Sequence, residues 1–282
     1  TSRRLQPQMV EALVRELELQ KDYLEGAKVG SIYLGGGTPS LLTSEELDRL
    51  FATIHRLHSV DAGAEITLEA NPDDITPNTL QFWKSIGINR LSVGIQSFHD
   101  IDLQWMNRAH DSRQARQCLE WIAASGIPQL TIDLIYGSPT TSMQAWETNL
   151  DVFFKYNIPH LSAYCLTVEP RTALAGMIRK GKSDAPDDEL ATEQFLFLMD
   201  RMDASGYDHY EISNYGKPGH HARHNTSYWQ GIPYLGIGPS AHSYNGTTRQ
   251  WNVAHNPQYI KAIIEEEKIP YEQETLDLPT HY

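Results

Sequence analysis

Short strand-like segments alternate with helical patterns along most of this sequence, and this alternation constrains the fold more than any other feature. One pattern recurs three times, at residues 87–92 (GINRLS), 126–131 (GIPQLT) and 157–162 (NIPHLS). Each copy ends a helical pattern, turns, and enters a strand. Parallel neighbours in a sheet need a long crossover, usually a helix, so the repeat predicts an α/β fold on a parallel sheet.

Six segments have the short, β-prone character of strands and are bounded by Gly, Pro, Asn or Asp. They are residues 31–34, 65–68, 90–93, 129–132, 160–163 and 209–212. Six β-then-α units indicate a whole or partial (β/α) barrel, with an open doubly wound sheet as the alternative. Helical periodicity predicts the intervening helices, including one opened by a capping box at Thr43 and Glu46 and others over residues 112–125, 142–156 and 189–205.

The composition and periodicity of the sequence change near residue 213. Residues 214–257 are rich in Gly, His, Asn, Tyr and Trp and show no long helical period, after which 256–268 predicts one more helix. We therefore expect a barrel domain over 1–213 and an extension over 214–282. The final stretch ends without a finished element, which leaves open that the natural chain continues.

The composition and charge of the chain argue against several classes of function. Lys and Arg number 23 against 36 Asp and Glu, giving a formal net charge of −13. Such a chain repels nucleic acid and anionic lipid unless a local basic patch reverses the field, and the basic residues 179–182 are interpreted as a solvated turn. No apolar run reaches the roughly 18 residues of a membrane span, and the first residues lack a signal core. The two cysteines cannot form a disulfide framework, so a cytoplasmic location is predicted.

Four consecutive predicted strands end in glycine or polar residues. These ends read GGGTP at 35–39, EANP at 69–72, GIQSF at 94–98 and DLIYG at 133–137. In a (β/α) barrel the catalytic and binding residues lie at the C-terminal ends of the strands, which form one end of the barrel. Arg108 is expected to fold over this end. Glycine amides allow close approach, carboxylates bind amines and ribose hydroxyls, and arginine clamps a carboxylate, so the set suits a small zwitterionic ligand. A tight turn or a helix cap explains any one of these ends, but not four together.

In this order, the four motifs resemble those of the radical S-adenosylmethionine family, and within it the branch of oxygen-independent coproporphyrinogen III oxidase and its relatives. The resemblance covers nearly the whole chain. It implies a partial (β/α)6 barrel of parallel strands with S-adenosylmethionine at the C-terminal mouth. The residues that the resemblance places against this ligand are Gly36, Gly37, Thr38, Glu69, Gln96, Arg108 and Asp133.

The sequence departs from the family at the [4Fe–4S] cluster, which the family holds on a Cys-x3-Cys-x2-Cys loop after its first strand. Cys118 and Cys165 are isolated, so they cannot hold the cluster in that way. Thr1 and Ser2, followed directly by a helical pattern, match the point where family members resume after the loop. We therefore expect the first strand and the cluster cysteines to precede Thr1; a family member that has lost its cluster is the alternative.

A second candidate binding motif, HNTSYW at residues 224–229, lies beyond the expected domain boundary. A histidine beside tyrosine and tryptophan can bind haem, with the imidazole on the iron and the aromatic faces on the macrocycle. Residue type alone favours a packed aromatic turn instead. His220 and His224 also have the spacing of a zinc pair, but no third ligand follows at a usual spacing.

The motif His-Asn-x-x-Tyr-Trp is similar to one that marks the haem chaperones of the branch and separates them from the true oxidase. That resemblance implies haem contacts from His224, Asn225, Tyr228 and Trp229. It also implies transfer of haem to apo-haemoproteins of respiration. The ending at 275–279 resembles the point where the small C-terminal domain of these proteins begins.

The sequence thus favours a haem chaperone on a radical S-adenosylmethionine scaffold. The alternative is oxygen-independent coproporphyrinogen III oxidase, an enzyme that decarboxylates propionates through a 5′-deoxyadenosyl radical, so enzymatic activity is left open. An unrelated barrel lyase or hydrolase would need a metal triad, a Schiff-base lysine or a Ser/His/Asp arrangement, none of which stands out. Homodimer formation and association with membranes through partners are also left open.

Overall fold

The computed structural model describes residues 3–276, and the chain forms two compact units. The first comprises the described residues of Thr1–Tyr33, Leu41–Glu65 and Arg223–Tyr282, and the second comprises Leu34–Ser40 and Ile66–Ala222. The domain boundary expected near residue 213 stays a prediction. Of the motif at 275–279, residues 277–279 lie outside the described part of the chain.

One or two helices separate each pair of successive strands up to residue 211, in the order that the repeat predicted. The helices of the described residues are α1 (Gln6–Leu19), α2 (Ser44–Leu57), α3 (Pro77–Ser85), α4 (Asp100–Trp105), α5 (Ser112–Ser125), α6 (Met143–Lys155), α7 (Ala173–Arg179), α8 (Asp188–Ala204), α9 (Arg223–Trp229) and α10 (Asn256–Ile264). The strands are β1 (Val29–Leu34), β2 (Val60–Ala70), β3 (Arg90–Gln96), β4 (Gln129–Tyr136), β5 (His160–Cys165), β6 (Asp208–Glu211), β7 (Asn214–Gly216), β8 (His242–Tyr244), β9 (Thr248–Asn252) and β10 (Tyr271–Thr275).

A mostly parallel seven-stranded sheet with helices forms the curled half-barrel expected from the sequence. Its strand order is β1-β2-β3-β4-β5-β7-β6, and β2, β3, β4 and β5 are parallel neighbours. The fold class predicted from the sequence is therefore confirmed. A second, antiparallel sheet has the order β10-β9-β8.

The sixth predicted strand is present as β6, but it does not lie next to β5. The chain turns after β6 and returns as β7, which pairs antiparallel with both β5 and β6. The return strand fits because it ends in a glycine: a Cβ on Gly216 would lie 3.0 Å from Cδ2 of His221 and 3.1 Å from Cδ2 of His160. A three-residue strand is too short to be found by its alternation pattern.

The predicted helix starts are confirmed where capping residues define them. Thr43 Oγ1 accepts a hydrogen bond from the backbone N–H of Glu46, and the Glu46 carboxylate accepts one from the N–H of Thr43. Helix α5 has the predicted bounds, and α10 ends four residues earlier than its pattern suggested. Helix α9 lies in a stretch that was expected to lack helix, because seven residues give too few turns for a periodicity to be seen.

The parallel strands have one apolar face and one polar face. On β3, Leu91, Val93 and Ile95 are fully buried. Successive side chains on a strand point to opposite sides, so Arg90 and Ser92 face the other way. The same division holds on the neighbouring strands, where Ile132, Leu134 and Leu161 are buried among the apolar residues. The apolar face packs into the core, and the polar face carries the side chains that can bind a ligand.

The first unit is organised around a buried carboxylate on α1. Glu16 is fully buried, and its Oε2 accepts hydrogen bonds from the N–H of Gly238 (2.7 Å) and the hydroxyl of Tyr259 (2.5 Å). Its Oε1 accepts bonds from Nδ2 of Asn252 (2.6 Å) and Nε2 of Gln20 (3.0 Å). Burial raises the pKa of Glu16, while these four donors act in the opposite direction. One side chain thereby joins α1, the 238 turn, β9 and α10.

We expect Glu16→Gln to destabilise the chain by about 2 kcal/mol, because the amide NH₂ would face donors where an acceptor is needed. Glu266→Gln, at an exposed position, serves as the matched control. The free energy of unfolding in urea measures both changes. An equal effect of the two substitutions would contradict the assigned role of Glu16.

Candidate functional site

The strand register brings polar side chains of four strands to one face of the sheet. Glu69 on β2 is paired with Ser92 on β3, and Asp133 on β4 is paired with Ser162 on β5. Ser92 is in turn paired with Thr131, two residues before Asp133. Registered partners in a parallel sheet share a face, and residues two apart share it as well, so Glu69, Ser92, Asp133 and Ser162 all lie on the same side.

The glycine turn after β1 is held to this face by a carboxylate. The backbone N–H of Gly36 donates a 3.0 Å hydrogen bond to Oε2 of Glu69. Gly36 has φ +76°, a conformation that favours glycine, and nothing lies within 4 Å of a Cβ added to Gly36 or Gly37. The turn therefore presents open backbone that a ligand can approach closely, and the half-buried Thr38 follows it directly.

Three polar side chains converge on Gly94, near the end of β3. A Cβ at this position would lie 2.9 Å from Nε2 of Gln96, 3.3 Å from Nη2 of Arg108 and 3.9 Å from Oδ1 of Asn71. Arg108 Nη2 donates hydrogen bonds to Asn71 Oδ1 (2.8 Å) and to the carbonyl of Gly94 (3.3 Å). Arg108 thus folds over the strand ends, as the sequence predicted. Asn71, which belongs to the EANP motif, was not among the residues predicted to contact the ligand.

Asp133 is a half-buried carboxyl group with a raised pKa. Burial is the main cause that raises its pKa to about 7, and the charge of Glu69 adds to this effect. Hydrogen bonds with Ser162 and Ser92 and the charge of Arg108 act in the opposite direction. The hydroxyl of Ser92 lies 3.4 Å from Oδ1 of Asp133. Glu69 and Arg108 therefore both lie within electrostatic reach of Asp133.

This arrangement can hold a zwitterion that carries a second positive charge. Two carboxyl groups favour cations, and the guanidinium of Arg108 can bind a carboxylate. The N–H of Gly36 is already bonded to Glu69, but the open backbone of residues 36 and 37 lets a ligand approach closely on the same side as Glu69. The seven residues expected to contact S-adenosylmethionine all belong to the second unit.

The histidine of the HNTSYW motif lies in the first unit, in contact with aromatic and polar side chains. His224 Nδ1 is 2.9 Å from Oγ of Ser31, and its Nε2 is 2.9 Å from the hydroxyl of Tyr228. The imidazole stacks on Tyr33, with ring centroids 4.9 Å apart and an interplanar angle of 22°. Burial lowers the pKa of His224, and the nearby charge of Glu65 opposes that shift. The ring is therefore favoured in its neutral form, which can ligate a metal.

A remote carboxylate holds the first turn of α9. The backbone N–H groups of Arg223 and His224 donate to Oε2 and Oε1 of Glu65, at 3.1 and 2.9 Å. The first N–H groups of a helix have no partner within it, so Glu65 supplies the cap that fixes His224. Sequence reasoning missed Ser31, Tyr33 and Glu65, because only the fold brings β1 and β2 to this helix.

The other motif residues differ in exposure. Tyr228 is 47% exposed and Trp229 is 69% exposed, so two aromatic rings stand open to solvent on the last turn of α9. Tyr228 also contacts Tyr234 edge to face, with ring centroids 4.8 Å apart. Asn225 is half-buried on the same helix. Large exposed rings of this kind provide apolar area for a flat ligand.

The cysteines of this sequence do not fit a [4Fe–4S] cluster. Cys118 is buried, and burial raises its pKa to about 12, whereas Cys165 is exposed. Among residues 3–276, no group of three or more His, Cys, Asp or Glu residues is arranged to hold a metal ion. The described residues therefore provide no ligand set for the cluster. Cysteines before Thr1 remain a prediction about residues outside this sequence.

Within the described part of the chain, no helix combines the length and the apolar character needed to cross a bilayer.

Known proteins resemble this chain over most of its length. Heme chaperone HemW of Mycobacterium tuberculosis is 37% identical over 252 residues, covering 89% of this chain and 65% of that protein. Heme chaperone HemW of Lactococcus lactis is 32% identical over 262 residues, covering 93% of this chain and 69% of that protein. The chain thus spans about two thirds of the length of these relatives.

A solved structure shares the fold. The coproporphyrinogen III oxidase HemN of Escherichia coli, described as a radical SAM enzyme, superposes with a TM-score of 0.85 at 23% identity, covering 98% of this chain and 67% of that one. At this identity the likeness concerns the fold alone. The model of the radical SAM superfamily matches residues 2–152, which include the glycine turn, Glu69, Gln96, Arg108 and Asp133. The chain belongs to the radical SAM superfamily.

Proposed function

We propose that this chain is the part of a haem chaperone that binds S-adenosylmethionine and haem, and that the whole protein passes haem to apo-haemoproteins. The observation that carries the proposal is the placement of His224, whose pKa is lowered by burial and whose Nε2 faces the hydroxyl of an exposed tyrosine. The names and identities of the relatives support it. The [4Fe–4S] cluster, a cytoplasmic location and a homodimer belong to the same proposal as predictions for the whole protein.

The site on the second unit is proposed to bind S-adenosylmethionine. This ligand carries an ammonium group, a sulfonium and a carboxylate, which match Glu69, Asp133 and Arg108 in charge. Open backbone at Gly36 and Gly37 accepts the close approach of the ligand, Gln96 adds an amide, and Thr38 follows the turn. When bound with a cluster, S-adenosylmethionine would supply the radical chemistry of the superfamily; the residues here bind and orient it.

We expect Glu69→Ala and Asp133→Ala to weaken S-adenosylmethionine binding by about tenfold or more, because each removes a carboxyl group from a partly desolvated cation site. Isothermal titration calorimetry on the cluster-reconstituted whole protein measures the affinity. Asp151→Ala, on the surface of α6, is the matched control and should leave it unchanged. Unaltered affinity in both site variants would refute the assignment of the pocket.

The affinity for S-adenosylmethionine should rise with pH through neutrality. With a pKa of about 7 in the free site, Asp133 is mostly neutral near pH 6 and mostly charged near pH 8. A permanently charged sulfonium binds the charged form more tightly, so binding releases a proton and the affinity increases up to about tenfold over this range. Asp133→Asn should remove the part of the pH dependence due to this residue, and calorimetry at several pH values tests it. An identical pH profile in the variant would exclude Asp133 as the titrating group.

The site on the first unit is proposed to bind haem through Nε2 of His224. With Nδ1 hydrogen-bonded to Ser31, the ring orientation is fixed and Nε2 is left as the ligating atom. The group now at Nε2 is the Tyr228 hydroxyl, on a ring exposed enough to rotate away. Tyr228 and Trp229 then offer aromatic faces for the macrocycle, and Asn225 lies on the same helix. The haem is cargo in this proposal.

We expect His224→Ala to weaken haemin binding at least about tenfold and to abolish the Soret shift of histidine ligation. His255→Ala, an exposed histidine of the same unit, is the control and should change neither. Tyr228→Phe should bind haemin as tightly as the native chain or more tightly, because it removes the hydroxyl that competes for Nε2. Spectrophotometric titration with haemin measures all three.

Two results would count against this function. An unchanged Soret shift and affinity in His224→Ala would show that another residue ligates the iron. Steady conversion of coproporphyrinogen III to a vinyl product by the cluster-loaded whole protein would favour the oxidase alternative. The likeness to the oxidase structure concerns the fold and does not by itself favour that activity.

A further inference from the structure

Gln96, one of the proposed ligand contacts, has a backbone conformation that is unfavourable for its residue type. Its φ is +66°, in the left-handed region that favours glycine. The N–H of Ser97 donates a 2.8 Å hydrogen bond to the carbonyl of Ile95, so Gln96 is the central residue of a three-residue turn. Such turns with positive φ are rare and strained, and they persist only where the surroundings enforce them.

A buried histidine holds the first residue of this turn. His110 is 3% exposed, and its Nε2 lies 3.1 Å from the carbonyl oxygen of Ile95. Burial lowers the pKa of His110, which favours the neutral ring, and a contact with a carbonyl requires the proton on Nε2. The other nitrogen, Nδ1, lies 4.0 Å from Oδ1 of Asp73. His110 therefore donates to the same carbonyl that closes the turn.

A buried polar network holds the residues after the turn. Asn149 on α6 is fully buried; its Oδ1 accepts a 2.8 Å hydrogen bond from the N–H of Phe98, and its Nδ2 donates to the hydroxyl of Ser97 (3.2 Å). Ser97 in turn donates a 2.7 Å hydrogen bond to Oδ2 of Asp102, whose other oxygen accepts one from Thr140 (2.7 Å). These hydrogen bonds link Phe98, Asn149, Ser97, Asp102 and Thr140 into one network, which makes the segment after the turn rigid.

The two sets of contacts fix the direction of the Gln96 amide. Its backbone is held on one side by His110 and on the other by Asn149, and its Nε2 is thereby brought beside Gly94 and the guanidinium of Arg108. His110 also stands two residues after Arg108, so one short segment carries both a ligand group and the group that holds the turn. A site assembled before the ligand arrives loses less entropy on binding.

We infer that His110 and Asn149 are positioning residues for the ligand site: they hold the strained turn at Gln96 and thereby set its affinity. The inference rests on the proposed binding of S-adenosylmethionine at this site. Neither residue belongs to the four strand-end motifs, and neither is expected to touch the ligand.

The test compares His110→Phe with His110→Gln in the cluster-reconstituted whole protein. Phenylalanine fills the buried space without a donor, whereas the amide nitrogen of glutamine reaches about as far as Nε2 of histidine. Tyr207→Phe is the matched control, since it also removes one buried hydrogen bond to a backbone carbonyl, that of Ile158, in the same unit. Asn149→Ala tests the other side of the turn.

Two measurements separate positioning from general destabilisation: hydrogen exchange at the N–H of Ser97 and Phe98, and calorimetric affinity for S-adenosylmethionine. We expect His110→Phe and Asn149→Ala to speed exchange and to weaken binding about fivefold or more, the equivalent of one net hydrogen bond. His110→Gln should restore both values, and Tyr207→Phe should change neither.

Unchanged exchange and affinity in His110→Phe would overturn the inference, as would an equal loss of affinity in Tyr207→Phe. If the native protein does not bind S-adenosylmethionine, the proposed function fails. The positioning role of His110 is then tested by hydrogen exchange alone. Faster exchange at Ser97 and Phe98 in His110→Phe would support that role, and unchanged exchange would refute it.

Discussion

The alternation of side chains along the parallel strands β2 to β5 is the constraint on which the rest of the structure depends. One face of each strand is largely apolar and packs into the core, so the carboxyl and hydroxyl side chains of Glu69, Ser92, Asp133 and Ser162 fall on the other face. Parallel register then sets Glu69, Ser92, Asp133 and Ser162 side by side. Burying a charged group costs free energy unless the group is paired. For Asp133 this cost raises the pKa, because burial disfavours the charged carboxylate.

Two histidines show how surroundings assign different roles to one side chain. Burial lowers the pKa of both His110 and His224 and favours the neutral ring. His110 has its Nε2 on a backbone carbonyl, which cannot leave without breaking the turn at Gln96. His224 has its Nε2 on the hydroxyl of Tyr228, a side chain that is 47% exposed. The first histidine is suited to hold structure and the second to exchange its partner for a ligand.

Several elements were predictable because their signals are local. The capping box at Thr43, the bounds of α5 and the six strand positions follow from residues close together in sequence. The strand β7 was missed because three residues give no alternation pattern, and its close approach to His160 and His221 at Gly216 is a contact that only the fold creates. Helix α9 was missed because seven residues give too few turns for a periodicity, and the cap of its first turn comes from Glu65, a residue more than 150 positions away.

The sequence by itself determined the α/β alternation, the polar ends of the strands and the superfamily to which the chain belongs, because each is written in short motifs and in local periodicity. Only the tertiary structure decided which polar groups meet. It placed Arg108 and Gln96 around Gly94, set Ser31 and Tyr33 against His224, and put His110 behind the turn at Gln96. These contacts join residues that strand register and crossover helices bring together, and neither register nor crossover geometry leaves a local pattern in the sequence.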